Sequence, residues 1–284
     1  MPLQQVTAPV CAPIHIGEAR PYVKQDITDE DNVIKMLVDG LTQEAQTACQ
    51  RQMVVARYLQ VQDSFPGAGL SGMTGCDEEF SLVDNAVLLI ISPCVQVVSI
   101  RYLDTSGAWQ TMPPADYTVD MVCEPARITP VFGKIWPVTQ PQVGAVQILF
   151  DAGHAAAITA NTAADTITVS GWKPLVVNDV VRLSNSGGVL PTGLTDQTDY
   201  YVQAVVSSGV YKLSASQGGA VVDITDAGTG QHFLGVVPVG MKLWLLCHLE
   251  SHFSHRGVVA ITKGNLNNLG HIERLLDAYR VVRA

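Results

Sequence analysis

The sequence predicts an α+β protein: a domain of helical segments with a β meander, interrupted by an inserted all-β module of sandwich or barrel type. Three observations carry this. A helical apolar period runs from Asp26 towards Arg51. Strand-like runs fill the stretch from Ala86 to Phe150, and a block of short strands and turns, free of helical period, fills 155–235. Helical pattern then returns at Pro238. The resulting division is an N-terminal arm (1–25), a discontinuous domain (26–154 and 236–284) and an inserted module (155–235).

Residues 1–25 show no periodicity, which predicts an extended arm that orders only when packed on something. In the next stretch Thr28 is suited to cap a helix, with Asp31 three residues on as the reciprocal partner, and Asp29 and Glu30 complement the positive end of the dipole. Val33, Ile34, Leu37, Val38, Leu41, Ala45 and Ala48 recur at three- and four-residue spacing and define one buried face. Gly40 inside this pattern costs about 1 kcal/mol relative to Ala, so one bent helix or two short ones are expected. From Met53 to Leu59 the pattern becomes that of a strand.

Gly67 to Gly75 reads as loop. Strand-like runs follow at Ala86–Ile91, Val95–Leu103, Tyr117–Val122 and Val143–Phe150, with Asp104 to Gly107 as a hairpin turn. The inserted block offers strands at Thr166–Val169, Val180–Leu183, Tyr200–Val206, Val210–Leu213 and His232–Leu234, separated by Gly/Asn/Ser/Pro turns. Its boundaries, Ala155 to Ala157 and Gly235 to Val237, read as loop. Pro238 sits well in a first helical turn, and Met241, Trp244, Leu245, Leu246, Leu249 and Phe253 form a broad apolar face. Gly264 to Gly270 reads as a polar loop, His271 to Tyr279 as a short amphipathic turn, and Arg280 to Arg283 as a basic tail.

With 284 residues and 47% apolar content the chain can bury a substantial core. No apolar run reaches the eighteen or so residues of a membrane span, and Met1 to Arg20 shows no signal pattern, so a cytoplasmic site of synthesis with no membrane partner is expected. The net charge of −9 argues against a general nucleic-acid binder. It is unevenly spread: Val61 to His154 carries a net −7 and Val236 to Ala284 a net +3. Six cysteines without a CxxC pair read as free thiols.

His248, His252 and His255 fall at i, i+4 and i+7 with Glu250 nearby, a spacing that could hold a metal, but Leu249 stands where a zincin needs its glutamate. Their ordinary reading is a helix face. No GxSxG, P-loop or dinucleotide fingerprint occurs. Gly67 to Gly75 leads into Cys76-Asp77-Glu78-Glu79, which repels phosphate. The carboxylates Asp77, Glu78, Glu79, Asp84, Asp116, Asp120 and Glu124 have no spacing that selects a catalytic pair. No cofactor is expected.

Three stretches together resemble the head-tail connector (adaptor, or head-completion) proteins of long-tailed bacteriophages. They are ITDEDNVIKML (27–37) closing with CQR (49–51); VVSIRYLDTSG (97–107) with YTVD (117–120) and EPARIT (124–129); and VPVGMKLWLL (237–246) with the ending Leu275 to Val282. The resemblance spans about 26–151 and 236–283 and departs at the inserted module. That module is itself similar to small β repeats of phage tail and structural proteins, through TDYYVQ (198–203), YKLS (211–214) and GTGQHF (228–233).

The resemblance implies a helical bundle with a β appendage, assembled as a homo-oligomeric ring of about twelve copies on the portal vertex. Such a protein bridges the portal protein and a neck, stopper or tail-completion protein in the virion neck, is assembled in the host cytoplasm, and lets genomic DNA pass its lumen without specific binding. Portal docking falls to Leu275, Leu276, Tyr279, Arg280 and Arg283. Two other classes remain: another neck or tail component or a carbohydrate-binding module using Trp172, Tyr200, Tyr201 and Tyr211, and a metal-dependent hydrolase using the histidines.

Overall fold

In the computed structural model of the chain, residues 2–9, 12–14, 16–67, 85–169, 175–186, 188–196, 198–235, 237–254, 272 and 274–281 are described. The chain divides into two compact units. The first is formed by 1–8, 56–153 and 281–284, the second by 9–55 and 154–280.

Among its described residues the first unit is built of strands, with one 3-10 turn at Pro114–Asp116. Strands β1 (Leu3–Thr7), β2 (Ala56–Gln62), β4 (Cys94–Leu103), β5 (Trp109–Thr111) and β8 (Val146–Ala152) form one antiparallel sheet in the order β1-β2-β8-β4-β5. Strands β3 (Val87–Leu88), β6 (Tyr117–Asp120) and β7 (Arg127–Pro130) form a second, ordered β3-β7-β6. The strands are antiparallel, as a meander requires, but β8 lies between β2 and β4 because β3, β6 and β7 leave to pair among themselves. Of the expected run Ala86–Ile91 only Val87 and Leu88 are strand. The N-terminal segment supplies β1 as an edge strand, ordered by its register with β2.

The core of this unit gathers Phe65, Leu89, Ile100, Ile128, Trp136, Ile148 and Phe150. Phe65 stacks on Trp136 with centroids 4.5 Å apart, and the Trp136 indole N–H donates to Asn85 O at 2.7 Å. Gln60 is buried on β2, where its side-chain amide donates to Leu88 O (2.8 Å) and accepts from Ile90 N–H (3.0 Å). It acts as a surrogate peptide group for the edge of β3. The predicted turn at Asp104 to Gly107 joins β4 to β5: Asp104 Oδ1 accepts from the Ser106 hydroxyl at 2.6 Å and from the amides of Ala108 and Ser106, both at 2.9 Å, and the hydroxyl bond above all, then the Ala108 amide and the Gln110 side chain, hold its carboxyl well below the usual range.

In the second unit α1 (Ile16–Tyr22), α2 (Asp31–Cys49) and α3 (Val239–Ser254) share one core, built from Ile34, Val38, Leu41 and Ala45 of α2 and Met241, Trp244, Leu245 and Leu249 of α3. The expected helical bundle does not form. Among the described residues three α-helices stand beside fourteen strands in three sheets. Only the two long periodic segments are helices of more than two turns. The rest of the bundle was implied by resemblance and has no apolar stripe of helical period to build it.

The start of α2 also differs from the expected capping box. Glu30 occupies the N-cap without a side-chain cap, and Asp31 instead takes the Arg20 guanidinium, with Nε at 2.7 Å from Oδ1. A specific charged partner has displaced a weak local one. The helix runs unbroken through Gly40, which is exposed and, among the described residues, has nothing within 4 Å of where a Cβ would lie. Gly40→Ala is therefore expected to raise the stability of the isolated subunit by about 0.5–1 kcal/mol, read as a higher urea midpoint with unchanged slope.

The inserted block is a closed six-stranded barrel. Its strands β9 (Ala155–Asn161), β10 (Thr166–Val169), β11 (Val180–Ser186), β12 (Asp199–Ser207), β13 (Val210–Ser214) and β14 (Gln231–Gly235) close in the order β10-β13-β12-β11-β14-β9, with β9 pairing back to β10. The expected loop at Ala155 to Ala157 is the start of β9, where Ala155, Ala156 and Ala157 pair with Gly235, Leu234 and Phe233. Ile158, Ile167, Leu183, Val202, Leu213 and Leu234 fill the interior as a core separate from that of the helices. Closure removes every sheet edge from this part of the chain.

Candidate assembly surfaces

The C-terminal segment places the predicted docking residues unevenly. Leu276 is only 1% exposed and belongs to the helical core, while Leu275 and Tyr279 pack half-buried against it. Cys49 Sγ donates to Leu276 O at 3.8 Å, and Arg51 Nε donates to Tyr279 O. The Tyr279 ring sits so close to α3 that a Cβ on Gly240 would lie 2.9 Å from it. Arg280 is exposed and 3.4 Å from Asp277, and Arg283 lies outside the described residues. The apolar part of the segment is thus seated on its own subunit, and Arg280 faces outward.

His248 stacks on Trp244 with centroids 4.0 Å apart, and His252 is exposed one turn on. His255 lies outside the described residues, among which no group of three metal-ligating side chains occurs. In the barrel Tyr200 and Tyr211 are buried, and their hydroxyls accept from Thr195 N–H (2.9 Å) and Leu175 N–H (3.1 Å). They serve the core. Tyr201 is half-buried, and Trp172 lies outside the described residues.

The acidic block is largely engaged. Asp116 pairs with Lys134, Asp120 pairs with Arg127, whose guanidinium holds the carboxyl below its ordinary range, and Asp63 accepts from Gly144 N–H at 2.9 Å. Asp151 is buried on β8, receives Arg57 Nε and Nη2 at 2.8 and 3.1 Å, and takes Gln96 Nε2 at 2.6 Å. Asp77, Glu78, Glu79, Asp84, Cys76 and Cys11 lie outside the described residues. Among the described residues Cys49, Cys94, Cys123 and Cys247 are free thiols, and burial pushes Cys94 up to about 12.

Sequence reading missed two features. Phe132, Ile135, Val138 and Val143 are strongly exposed on the loop after β7, Phe132 fully so. A large exposed apolar loop is the ordinary mark of a protein contact surface. The sequence signal is slight: an aromatic beside Gly133 in a turn, flanked by prolines. The second is His154, whose amide donates to Met53 O at 3.1 Å. It lines a cavity of about 40 Å³ together with Val55, Arg182, Gly235 and Lys242, and its Nε2 is buried.

Burial and the nearby Arg51 cation lower His154 to about 4. Because the folded-state value lies below the unfolded one, the unfolded chain takes up the proton first. The contribution is therefore complete above about pH 6.5 and is lost as pH falls towards 4, amounting to roughly 3 kcal/mol. In urea titrations across that window the stability of the wild type should fall more steeply than that of His154→Gln. Parallel slopes would show that the ring does not titrate with folding.

No helix among the described residues is long and apolar enough to cross a membrane. No family model matches the chain, and no curated protein matches it in sequence. Its fold does match solved structures. One is a chain from the neck of an empty GTA particle computed with C6 symmetry, at a TM-score of 0.54 and 14% identity, over 100% of this chain and 97% of that one. Another is a chain from the virion of a native gene transfer agent (GTA) particle, at 0.53 and 13% identity with the same coverage. At such identity the likeness is one of fold, and it extends over the full length of the chain, barrel included.

Proposed function

We propose that this chain is a structural component of a phage-like virion neck, a head-tail connector that forms a ring on the portal vertex. The observation that carries the reading is the full-length fold likeness to a chain of a GTA neck. The sequence resemblance at 27–51, 97–129 and 237–282 points the same way independently. In this reading about twelve copies close a ring by a repeated head-to-tail contact. The C-terminal segment, with Leu275, Leu276, Tyr279, Arg280 and Arg283, docks the portal, another surface receives the next neck or tail protein, and DNA passes without specific contacts. No reaction chemistry is invoked.

The test is direct. Purified protein added to portal rings should appear as an added annular layer by negative-stain microscopy, and particles made without it should be tailless heads. Failure to bind a portal together with normal tailed particles would end the proposal.

The barrel is proposed to be an insertion into a host domain formed by 26–154 and 236–284. Its separate core and its ends at neighbouring strands, Ala155 opposite Gly235, support this. Replacing 156–235 by a short Gly/Ser linker should leave a cooperatively folding host. Loss of the cooperative transition would make the barrel part of the host core. Arg182 on β11 is the contact most at risk, since its Nη1 donates to Ala12 O at 2.5 Å and Nη2 lies 3.9 Å from Glu18 on α1.

A further inference from the structure

We infer that the outward faces of α2 and α3 are the two halves of one head-to-tail contact between copies of this chain, with Val239 and Leu243 of one copy packing over Met36 and Gly40 of the next. The inference rests on the ring reading above and adds which surfaces make the ring.

Each helix has one face in its own core and a second that carries exposed residues. On α2 the buried residues Ile34, Val38, Leu41, Ala45 and Cys49 define one side, and Met36, Gly40, Gln43 and Thr47 fall on the opposite side at i, i+4, i+7 and i+11. Met36 is 65% exposed. Gly40, one turn on, is the anomaly. A glycine inside an exposed helix costs about 1 kcal/mol against alanine, and among the described residues no side chain or other segment comes within 4 Å of where its Cβ would lie. Its own fold gives no reason for it. Glycine at such a place lets another backbone or a large side chain come close.

On α3 the buried side is Met241, Trp244, Leu245, Leu249 and Phe253, yet the first turns of the opposite side are apolar as well: Val239 is 73% and Leu243 41% exposed, followed by Cys247, before Glu250 and Ser254 close that side. A helix apolar around most of its circumference is ordinarily enclosed on both sides. Tyr22 of α1, 37% exposed, flanks this stripe through a 3.2 Å contact between its hydroxyl and Cys247 Sγ. One face therefore presents knobs and the other a gap bordered by a flexible methionine. The two are not self-complementary, which is what a cyclic, heterologous contact needs and an isologous dimer does not. Ridges from the α3 stripe fit the groove left at Gly40 as in ordinary helix-helix packing.

The experiment uses the full chain with Gly40→Gln, Met36→Glu and Leu243→Glu, all on exposed helix positions and checked for wild-type melting. By sedimentation equilibrium the wild type should self-associate with concentration, and each variant should need at least about tenfold more protein to do so. Mixing Gly40→Gln with Leu243→Glu supplies one intact face of each kind, so the mixture should form dimers that grow no further. Variants that associate as the wild type does, a mixture no more associated than its parts, or a wild type that stays monomeric at every soluble concentration would each overturn the contact. Portal binding, measured separately, keeps the two ideas apart. Portal-bound rings formed equally by both variants would remove this contact and leave the neck reading, whereas absent portal binding with a positive mixing result would do the reverse.

Discussion

Replacing Asp151 by alanine should cost about 3–5 kcal/mol and lower the melting temperature by roughly 10 °C. Asp151 is 1% exposed at the end of the central strand β8, where Arg57 from β2 and Gln96 from β4 both donate to its carboxylate. It ties together three neighbouring strands of the five-stranded sheet. Removing the carboxylate takes away the bidentate acceptor of the Arg57 guanidinium, whose side chain is 20% exposed, and breaking one half of a buried pair is the expensive way to do so. Removing both charges is expected to be far milder. Arg57→Met with Asp151→Leu should lose much less than the sum of Arg57→Ala and Asp151→Ala in a double-mutant cycle. A loss below about 1 kcal/mol for Asp151→Ala would show that the pair is solvated and contributes little.

Truncation of 271–284 should lower the melting temperature, and Leu276→Ala alone should cost about 2–5 kcal/mol. Leu276 fills the helical core, and the backbone carbonyls of Leu276 and Tyr279 receive Cys49 and Arg51 from the end of α2. Deletion therefore opens a cavity and removes the acceptors that Cys49 Sγ and Arg51 Nε use there. This bears on portal docking, because a segment seated at home must keep its lid role while it binds or exchange one apolar contact for another. Arg280→Glu separates the two roles: the exposed charge can be reversed with little effect on melting, so any loss of portal binding would report docking itself. If the truncated chain melts like the wild type and still joins heads to tails, both roles fail.

What could be read from the sequence were the places where a local pattern suffices. The apolar face of α2 was legible in its three- and four-residue spacing, and the Asp104 turn in its Asp-Thr-Ser-Gly chemistry, since each rests on neighbours within a few residues. The short-period turns between Asn185 and Gly230 were enough for a barrel-like module, though not for β9, whose Ala155-Ala-Ala start has no strand signature and is fixed by β14 alone. The N-terminal strand was invisible for the same reason: Leu3 to Thr7 becomes a strand through its pairing with β2.

The helical bundle expectation failed because it was supplied by resemblance, and the sequence itself contains only two long apolar stripes of helical period. Tertiary structure alone decided which charges are silent, sending Asp31 to Arg20 and Asp151 to Arg57, each at least 11 residues away in the chain. It alone turned Leu276 inward and left Phe132 in water, because burial is a property of what packs against a residue. The sequence by itself determined the spacing of apolar faces and the chemistry of turns. Long-range pairing decided the rest, since a strand edge, a buried ion pair and a covered leucine exist only once distant segments have met.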